Sequence, residues 1–190
     1  MRHAANPLHA DKPLALESDV RRRAETSLVG KDGIVIRLVH GPGPGSFRLR
    51  LWTTPDNPGP LGPGGLGVEW AGRTGHPTSY ALLGGHLAPG GSGRVDIQGT
   101  GRYTESLAGQ SDRVEFGLLD EYTEYLSLGL GDGVVVTVGA HGYVGSSPMA
   151  FLFAGRMLAA CLRGGVPTDD ADVLELWRSL TPEMRGGSPT

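Results

Sequence analysis

The chain has 190 residues, a formal net charge of −3 and 38% hydrophobic residues, which fits one domain, alone or with a small appendage. The mildly acidic balance gives no overall attraction to nucleic acid, so a nucleic-acid contact would require a local basic patch. The single cysteine, Cys161, excludes an intrachain disulfide and a cysteine zinc site, and its apolar surroundings predict a buried core residue.

Nothing in the sequence predicts export or membrane insertion. The N-terminus lacks the continuous apolar core of a signal peptide, and residues 1–20 are predicted to be a flexible segment. The most apolar stretch, 149–162, is too short to cross a bilayer and is interrupted by Arg156. We therefore expect a cytoplasmic protein.

The first clear elements along the chain are two strands. Residues 34–39 and 47–51 alternate with the period of two that is typical of strands, and the connection between them is rich in Gly and Pro. This pattern predicts an antiparallel hairpin with an extended tip. Arg48 and Arg50 are expected to point to one face, away from the apolar side.

The range 53–112 is harder to interpret. It opens with a low-complexity run of Pro and Gly that predicts a loop. Short strands are predicted near residues 67–72 and around Val95 and Ile97. Another strand is predicted over 112–119.

Helical signals begin after this range. Apolar side chains at helical spacing between Leu119 and Leu130 predict the first helix, which Gly131 would close. Five β-branched residues from Val134 to Val138 predict a buried strand.

The strongest helix signal follows a Gly-rich loop. Ser147 is a good N-cap, Pro148 suits the first helical turn, and residues 149–162 are apolar on nearly all sides, which predicts a buried helix. Gly155 inside it indicates close packing against a neighbour, because glycine weakens a helix interior by about 1 kcal/mol relative to alanine. Gly164 is expected to end the helix.

A last helix is predicted over 168–180, capped by Thr168 or Asp169. Its apolar stripe, which includes Val173 and Trp177, is expected to dock on the domain. Strands followed by helices, without a regular βαβ series, predict an α+β fold.

The stretch 134–162 resembles the end of domain IV of translation elongation factor G. The likeness lies in Val136-Thr137 and in the run from Ser146 to Phe151, where Pro148 replaces the family's Glu. Weaker likenesses in the right order extend the resemblance to roughly 22–52 and 113–164. Most of 53–112 and the C-terminal helix have no counterpart.

The resemblance implies a split β-α-β fold with a left-handed crossover, as in ribosomal protein S-five. The expected architecture is a mostly antiparallel sheet packed on two helices, plus an extra C-terminal helix. It assigns residues 21–165 to the domain, with an expanded insertion at about 53–112, and leaves 166–190 as a C-terminal helix and tail. The sequence lacks a phosphate-binding loop, so no GTPase activity is expected.

The resemblance also implies that two tip loops contact the ribosome or another RNA. The candidate RNA-binding residues, in these loops and on the strand face, are Arg37, His40, Arg48, Arg50, His141 and Tyr143. A His and a Tyr on an exposed loop suit RNA contact through stacking and hydrogen bonds. No catalytic residue, metal ligand or cofactor is predicted.

Two alternatives stay open on the same scaffold. One is a small-molecule enzyme with His141 as acid or base, possible because one fold hosts many activities. The other is a protein-interaction module that uses the 53–112 range or the helix around Trp177, including a homo-oligomer formed through that helix. Either alternative would fit bacterial specialised metabolism.

Overall fold

In a computed structural model of the chain, the described residues are 34–41, 47–53, 61–72, 79–90, 92–97, 101–103, 106–109 and 112–181. The strands are β1 (Ile34–His40), β2 (Arg48–Thr53), β3 (Leu66–Ala71), β4 (Tyr80–Leu87), β5 (Arg94–Val95), β6 (Gly101–Tyr103), β7 (Val114–Phe116) and β8 (Val134–Gly142). The helices are α1 (Asp120–Leu130), α2 (Pro148–Gly164) and α3 (Asp170–Leu180). The predicted N-terminal segment 1–20 lies outside the described residues.

The strands form one sheet in the order β1-β2-β3-β4-β8-β7-β6. All neighbours along this path are antiparallel, and β5 is added parallel to β8. The predicted α+β class with a mostly antiparallel sheet is therefore confirmed. The split β-α-β unit with a left-handed crossover is unconfirmed. The strands on either side of α1, β7 and β8, are direct neighbours and pair antiparallel, which is not the parallel arrangement of a crossover unit.

Helices cover one face of the sheet. α2 packs on β3 and β4, and α1 packs on α2. The predicted cap of α2 is confirmed: the Ser147 hydroxyl accepts the Ala150 N–H at 3.3 Å, and Pro148 occupies the first turn. Cys161 is buried in this core, as predicted, and burial raises the pKa of its thiol to about 11.

Two glycines let α1 and α2 approach closely. A Cβ on Gly155 would lie 2.7 Å from the Leu126 Cδ1, which confirms the close packing predicted at this glycine. A Cβ on Gly129 would lie 2.6 Å from the Leu152 carbonyl oxygen. The Leu152 carbonyl is main chain and cannot move aside, so Gly129 is required here, whereas the end of the Leu126 side chain could shift to admit a methyl group at position 155.

The C-terminal helix docks on the same face. Asp169 is its cap, because its carboxylate accepts the Asp172 N–H at 2.8 Å. The Trp177 ring is buried, with its centroid 5.1 Å from that of Trp70 and 5.5 Å from that of Phe47. The predicted docking of this apolar stripe is therefore confirmed.

On the opposite face, the residues that the structure describes outside the sheet belong to connecting segments. Leu61 and Leu107 are buried there in an apolar cluster that includes Trp52 and Leu82 of the sheet. Both covering residues lie in the range 53–112, predicted as an expanded insertion. The same range supplies β3 and β4, which lie in the middle of the sheet rather than in a peripheral loop.

Glycines explain why the sequence pattern indicates the strands β3 and β4 only weakly. A Cβ on Gly67 would lie 2.0 Å from the Trp52 ring, and one on Gly85 would lie 2.0 Å from the Val135 carbonyl oxygen. Glycine is unfavourable in strands by propensity, but here close approach of a ring and of a neighbouring strand requires it.

Candidate functional site at the tip of the sheet

The last residue of β8, Gly142, and the connection to α2, residues 143–147, lie at one end of the sheet, and we call residues 142–147 the tip turn. It is tied to the start of β4 in two ways. The Tyr80 N–H donates to the Gly145 carbonyl at 2.6 Å, and the Ser146 hydroxyl donates to the Tyr80 carbonyl at 2.7 Å. The tip turn therefore projects from a fixed base.

Asp112, which precedes β7, braces the tip turn from the other side. Its carboxylate accepts the N–H of Val144 at 3.1 Å and of Gly145 at 2.7 Å. A Cβ on Gly142 would lie 2.1 Å from Asp112 Oδ2, so glycine is required for this approach. The Ser146 hydroxyl also accepts the Gly142 N–H at 2.8 Å, which leaves the main chain of the turn well satisfied.

Tyr143 is the aromatic residue of the tip turn, and 69% of its surface is accessible. The Arg113 guanidinium carbon lies 4.6 Å from the centre of its ring, within the range of a cation–π contact. Arg113 also forms an ion pair with Glu115 at 2.8 Å. The tip turn thus presents an aromatic ring and a guanidinium together to solvent.

His141, two residues before Tyr143, is half-buried in β8 and not in an exposed loop as predicted, because β8 runs on to Gly142. Its Nδ1 is 2.9 Å from the Gly117 carbonyl oxygen, and because a carbonyl can only accept, Nδ1 carries the hydrogen. In the neutral ring Nε2 is then an acceptor. The ring centroid lies 5.8 Å from that of Tyr122, whose phenol pKa is raised by burial and secondarily by the negative charge of Glu121.

The residues that flank the first predicted tip loop, His40 and Phe47, lie at the same end of the sheet. His40 is exposed at the end of β1, opposite Arg48 in the strand register. β2, β3 and β4 lie between β1 and β8, and four strand spacings amount to about 19 Å. The structure therefore places His40 at the same end of the sheet as Tyr143, but four strands away from it. Residues 42–46 lie outside the described residues, as does the side chain of Arg37.

The predicted exposure of Arg48 and Arg50 is wrong. Arg50 is only 5% exposed, and its Nη1 lies 3.5 Å from Oε2 of Glu69, which is fully buried. Arg48 is half-buried, and its guanidinium donates to the Leu107 carbonyl. The alternation of β2 holds, because both arginines share one face, but residues from 53–112 cover that face. The buried Arg50 is therefore not available to phosphate.

Sequence reasoning did not single out four residues that the structure makes prominent: Glu69, Leu107, Asp112 and Arg113. Glu69 left a signal, since one acid stands in an otherwise apolar run from Leu66 to Ala71. A lone acid on a strand between apolar neighbours indicates either an edge position or a buried partner. The other three residues left no local signal, because their contacts are long-range.

No known protein family model matches the chain, and no curated protein or solved structure matches it either. The likeness to domain IV of elongation factor G rests on sequence motifs alone, so what it implies for function is a proposal. In the described part of the chain, no helix is long and apolar enough to cross a membrane. Within the same residues, His, Cys, Asp and Glu side chains do not form a group of three that could hold a metal ion.

Proposed function

We propose that the chain is a binding module without GTPase activity that contacts RNA, with the cytoplasmic ribosome as the expected setting. The observation that carries this proposal is the exposed Tyr143 ring held beside the Arg113 guanidinium on a braced turn. Unstacked bases are bound by exposed aromatic rings and guanidinium planes, and the ring offers such a surface. The resemblance to domain IV supports the same assignment, since the tip turn corresponds to a tip loop of that family.

The brace at Asp112 adds to this argument. A binding surface that is already ordered loses less conformational entropy on association than a mobile loop. Two main-chain N–H groups on one carboxylate, together with the links to Tyr80, order the tip turn before any ligand arrives. His141 adds a hydrogen-bonding group to the same surface. Of the six predicted contact residues, His141 and Tyr143 form the centre of the proposed surface, and His40 lies at its far end.

The test is co-sedimentation with ribosomes across a salt series, followed by binding to a labelled single-stranded RNA. We expect binding that is strongest at low salt and weakens as salt rises, because phosphate contacts release counterions. Tyr143→Ala should weaken binding about 5- to 150-fold, the range for losing one base–aromatic stack. Arg113→Gln should lower affinity and reduce the salt dependence by about one counterion.

Tyr125→Ala is the matched control, because Tyr125 is also an exposed tyrosine but lies on α1. Equal binding by the two tyrosine variants, or no co-sedimentation of the wild type at the lowest salt, would contradict the proposal. A complex that survives ribonuclease and depends on Tyr143 would instead favour the protein-interaction alternative, for which the exposed Val144 beside Tyr143 provides apolar surface.

The small-molecule enzyme has less support from geometry. An open depression of about 650 Å³ is lined by Leu87, Pro89, Ser92 and Asp132, among others. It lies by the start of β8, whereas His141 lies seven residues after Val134, about 23 Å away along the strand. This depression therefore gives His141 no substrate pocket.

A further inference from the structure

Leu107 has its main chain held from two sides by charged side chains of the sheet. Its N–H donates to Glu69 Oε1 at 2.6 Å, and its carbonyl accepts from the Arg48 guanidinium. Glu69 lies on β3 and Arg48 on the neighbouring β2. Two adjacent strands thus recognise both hydrogen-bonding groups of a single residue that is 38 positions away from one partner and 59 from the other.

The Leu107 side chain is held with equal specificity. It is 5% exposed and belongs to an apolar cluster with Trp52, Tyr80 and Leu82. The Tyr80 hydroxyl donates to Glu69 Oε1 at 2.8 Å, which fixes the carboxylate in place. An apolar pocket with a few oriented polar groups at its wall is the usual composition of a ligand site.

Two buried polar atoms in this place have no hydrogen-bond partner. They are Arg50 Nη1 and Glu69 Oε2, which face each other at 3.5 Å. Burying charged side chains is unfavourable unless their hydrogen bonds are completed. The covering loop uses only Glu69 Oε1 and the Arg48 guanidinium for its main chain, so Arg50 Nη1 and Glu69 Oε2 call for another explanation.

We propose that this place is a binding site for an aliphatic residue in amide linkage, such as a leucine of an extended peptide, which Leu107 occupies as a ligand from the same chain. We call it the Leu107 site, formed by Arg48, Arg50, Glu69 and Tyr80 with the apolar pocket. Glu69 accepts the ligand N–H, Arg48 donates to its carbonyl, and the pocket takes its side chain. A peptide supplied in trans replaces Leu107 in the same contacts. This site is separate from the tip turn and does not depend on RNA binding.

The test uses Leu107→Ala, which empties the side-chain pocket, with N-acetyl-leucine N-methylamide as the probe. We expect the variant to bind the probe, by calorimetry and by a rise in melting temperature, and the wild type to bind at least tenfold more weakly because Leu107 competes. N-acetyl-alanine N-methylamide and 3-methylbutan-1-ol are the controls. The first lacks the branched side chain and the second has it without the amide, so binding of the alcohol alone would indicate only a filled cavity.

A second pair of variants tests the polar contacts. Adding Arg48→Met to Leu107→Ala should weaken probe binding about tenfold or more, the loss expected for one hydrogen bond from a charged donor. Adding Arg94→Met instead should change nothing, because Arg94 is exposed on β5 at the parallel pairing with β8. Equal effects of the two additions, or no probe binding by folded Leu107→Ala, would overturn the proposal.

If Leu107→Ala does not fold, the wild type provides the readout. The Trp52 indole and Leu82 methyl signals should shift on titration with a large excess of the leucine probe and not with the alanine probe. Identical spectra with both probes would overturn the proposal.

Discussion

At the residue scale, the buried Glu69 carboxyl is the most unusual group in the described part of the chain. Burial raises its pKa above the ordinary value of 4.5, and this effect is opposed by Arg50, by the Leu107 N–H and by the Tyr80 hydroxyl. The folded state therefore holds this proton more tightly than the unfolded state does. A raised pKa in the folded state contributes stability that is complete below the unfolded pKa and is lost as pH rises through the folded pKa.

This linkage predicts how Glu69→Gln differs from the wild type. The amide cannot titrate, so the free energy of unfolding of the wild type should fall relative to the variant as pH rises above about 4.5. The slope should not exceed about 1.4 kcal/mol per pH unit, the limit for one proton. Urea unfolding of both proteins between pH 4 and 8 measures the difference, in which the other carboxyl groups cancel. A wild-type free energy of unfolding that stays constant relative to the variant, or rises relative to it, as pH increases would contradict the raised pKa.

At the element scale, the contact between α1 and α2 combines side-chain packing with a close approach at glycine, and the Tyr122 and Phe151 rings stack with their centroids 4.8 Å apart. The Cβ of a residue at position 129 would meet the Leu152 carbonyl, a main-chain atom that cannot rotate away. Arg163 adds a polar tie, because its guanidinium donates to the Leu130 carbonyl at 2.8 Å and to the Asp132 carbonyl at 2.7 Å. The helix pair is thus held along its length and at its end.

Gly129→Ala tests this contact. Alanine favours a helix interior by about 1 kcal/mol over glycine, but overpacking against main chain costs about 1–3 kcal/mol. We expect a net loss of about 1 kcal/mol or more in the free energy of unfolding by urea. Gly164→Ala is the control, since a Cβ there meets nothing within 4 Å, and it should be neutral or stabilising. Equal stability of the two variants would refute the close-packing argument.

At the scale of the whole molecule, α3 closes the helical face of the sheet. Trp177 is only 3% exposed and lies against Trp70 and Phe47, while the Arg156 guanidinium of α2 donates to the Leu180 carbonyl at 3.0 Å. The helix without a counterpart in the domain IV resemblance is therefore part of the main core. Its apolar stripe is covered within one chain, so a homo-oligomer through α3 would have to use its exposed side.

Trp177→Ala should cost about 3–5 kcal/mol in the free energy of unfolding, the range for removing a buried aromatic ring from a core. Far-UV circular dichroism in urea measures the loss without relying on tryptophan fluorescence. Glu175→Ala, on the exposed side of the same helix, should change stability by no more than about 0.5 kcal/mol. A similarly small effect at Trp177 would mean that α3 is not integral to the core.

Local signals in the sequence predicted many of the elements well. Four local signals predicted an element that the structure contains. They are the Ser147-Pro148 start of α2, the apolar spacing of α1, the β-branched run of β8 and the alternation of β2. These signals act within a few residues, through caps, side-chain periodicity and backbone propensity. The same reasoning placed Tyr143 on an exposed turn, where it lies, but it also expected His141 there, and His141 is instead half-buried in β8. It could not find Arg113 or Asp112, which reach the turn from 30 to 33 positions away in the chain.

By itself, the sequence determined the α+β class, the buried α2 helix and the docking of Trp177, because caps and apolar periodicity lie within single elements. Only the tertiary structure decided that both faces of the sheet are covered. As a result Arg50, which the sequence suggested as a phosphate contact, is a buried ion-pair partner of Glu69. Which face of a strand meets solvent depends on distant segments, and here Leu107 covers β2 from 59 residues beyond Arg48. Alternation along a strand gives the side of a residue, but not what lies over that side.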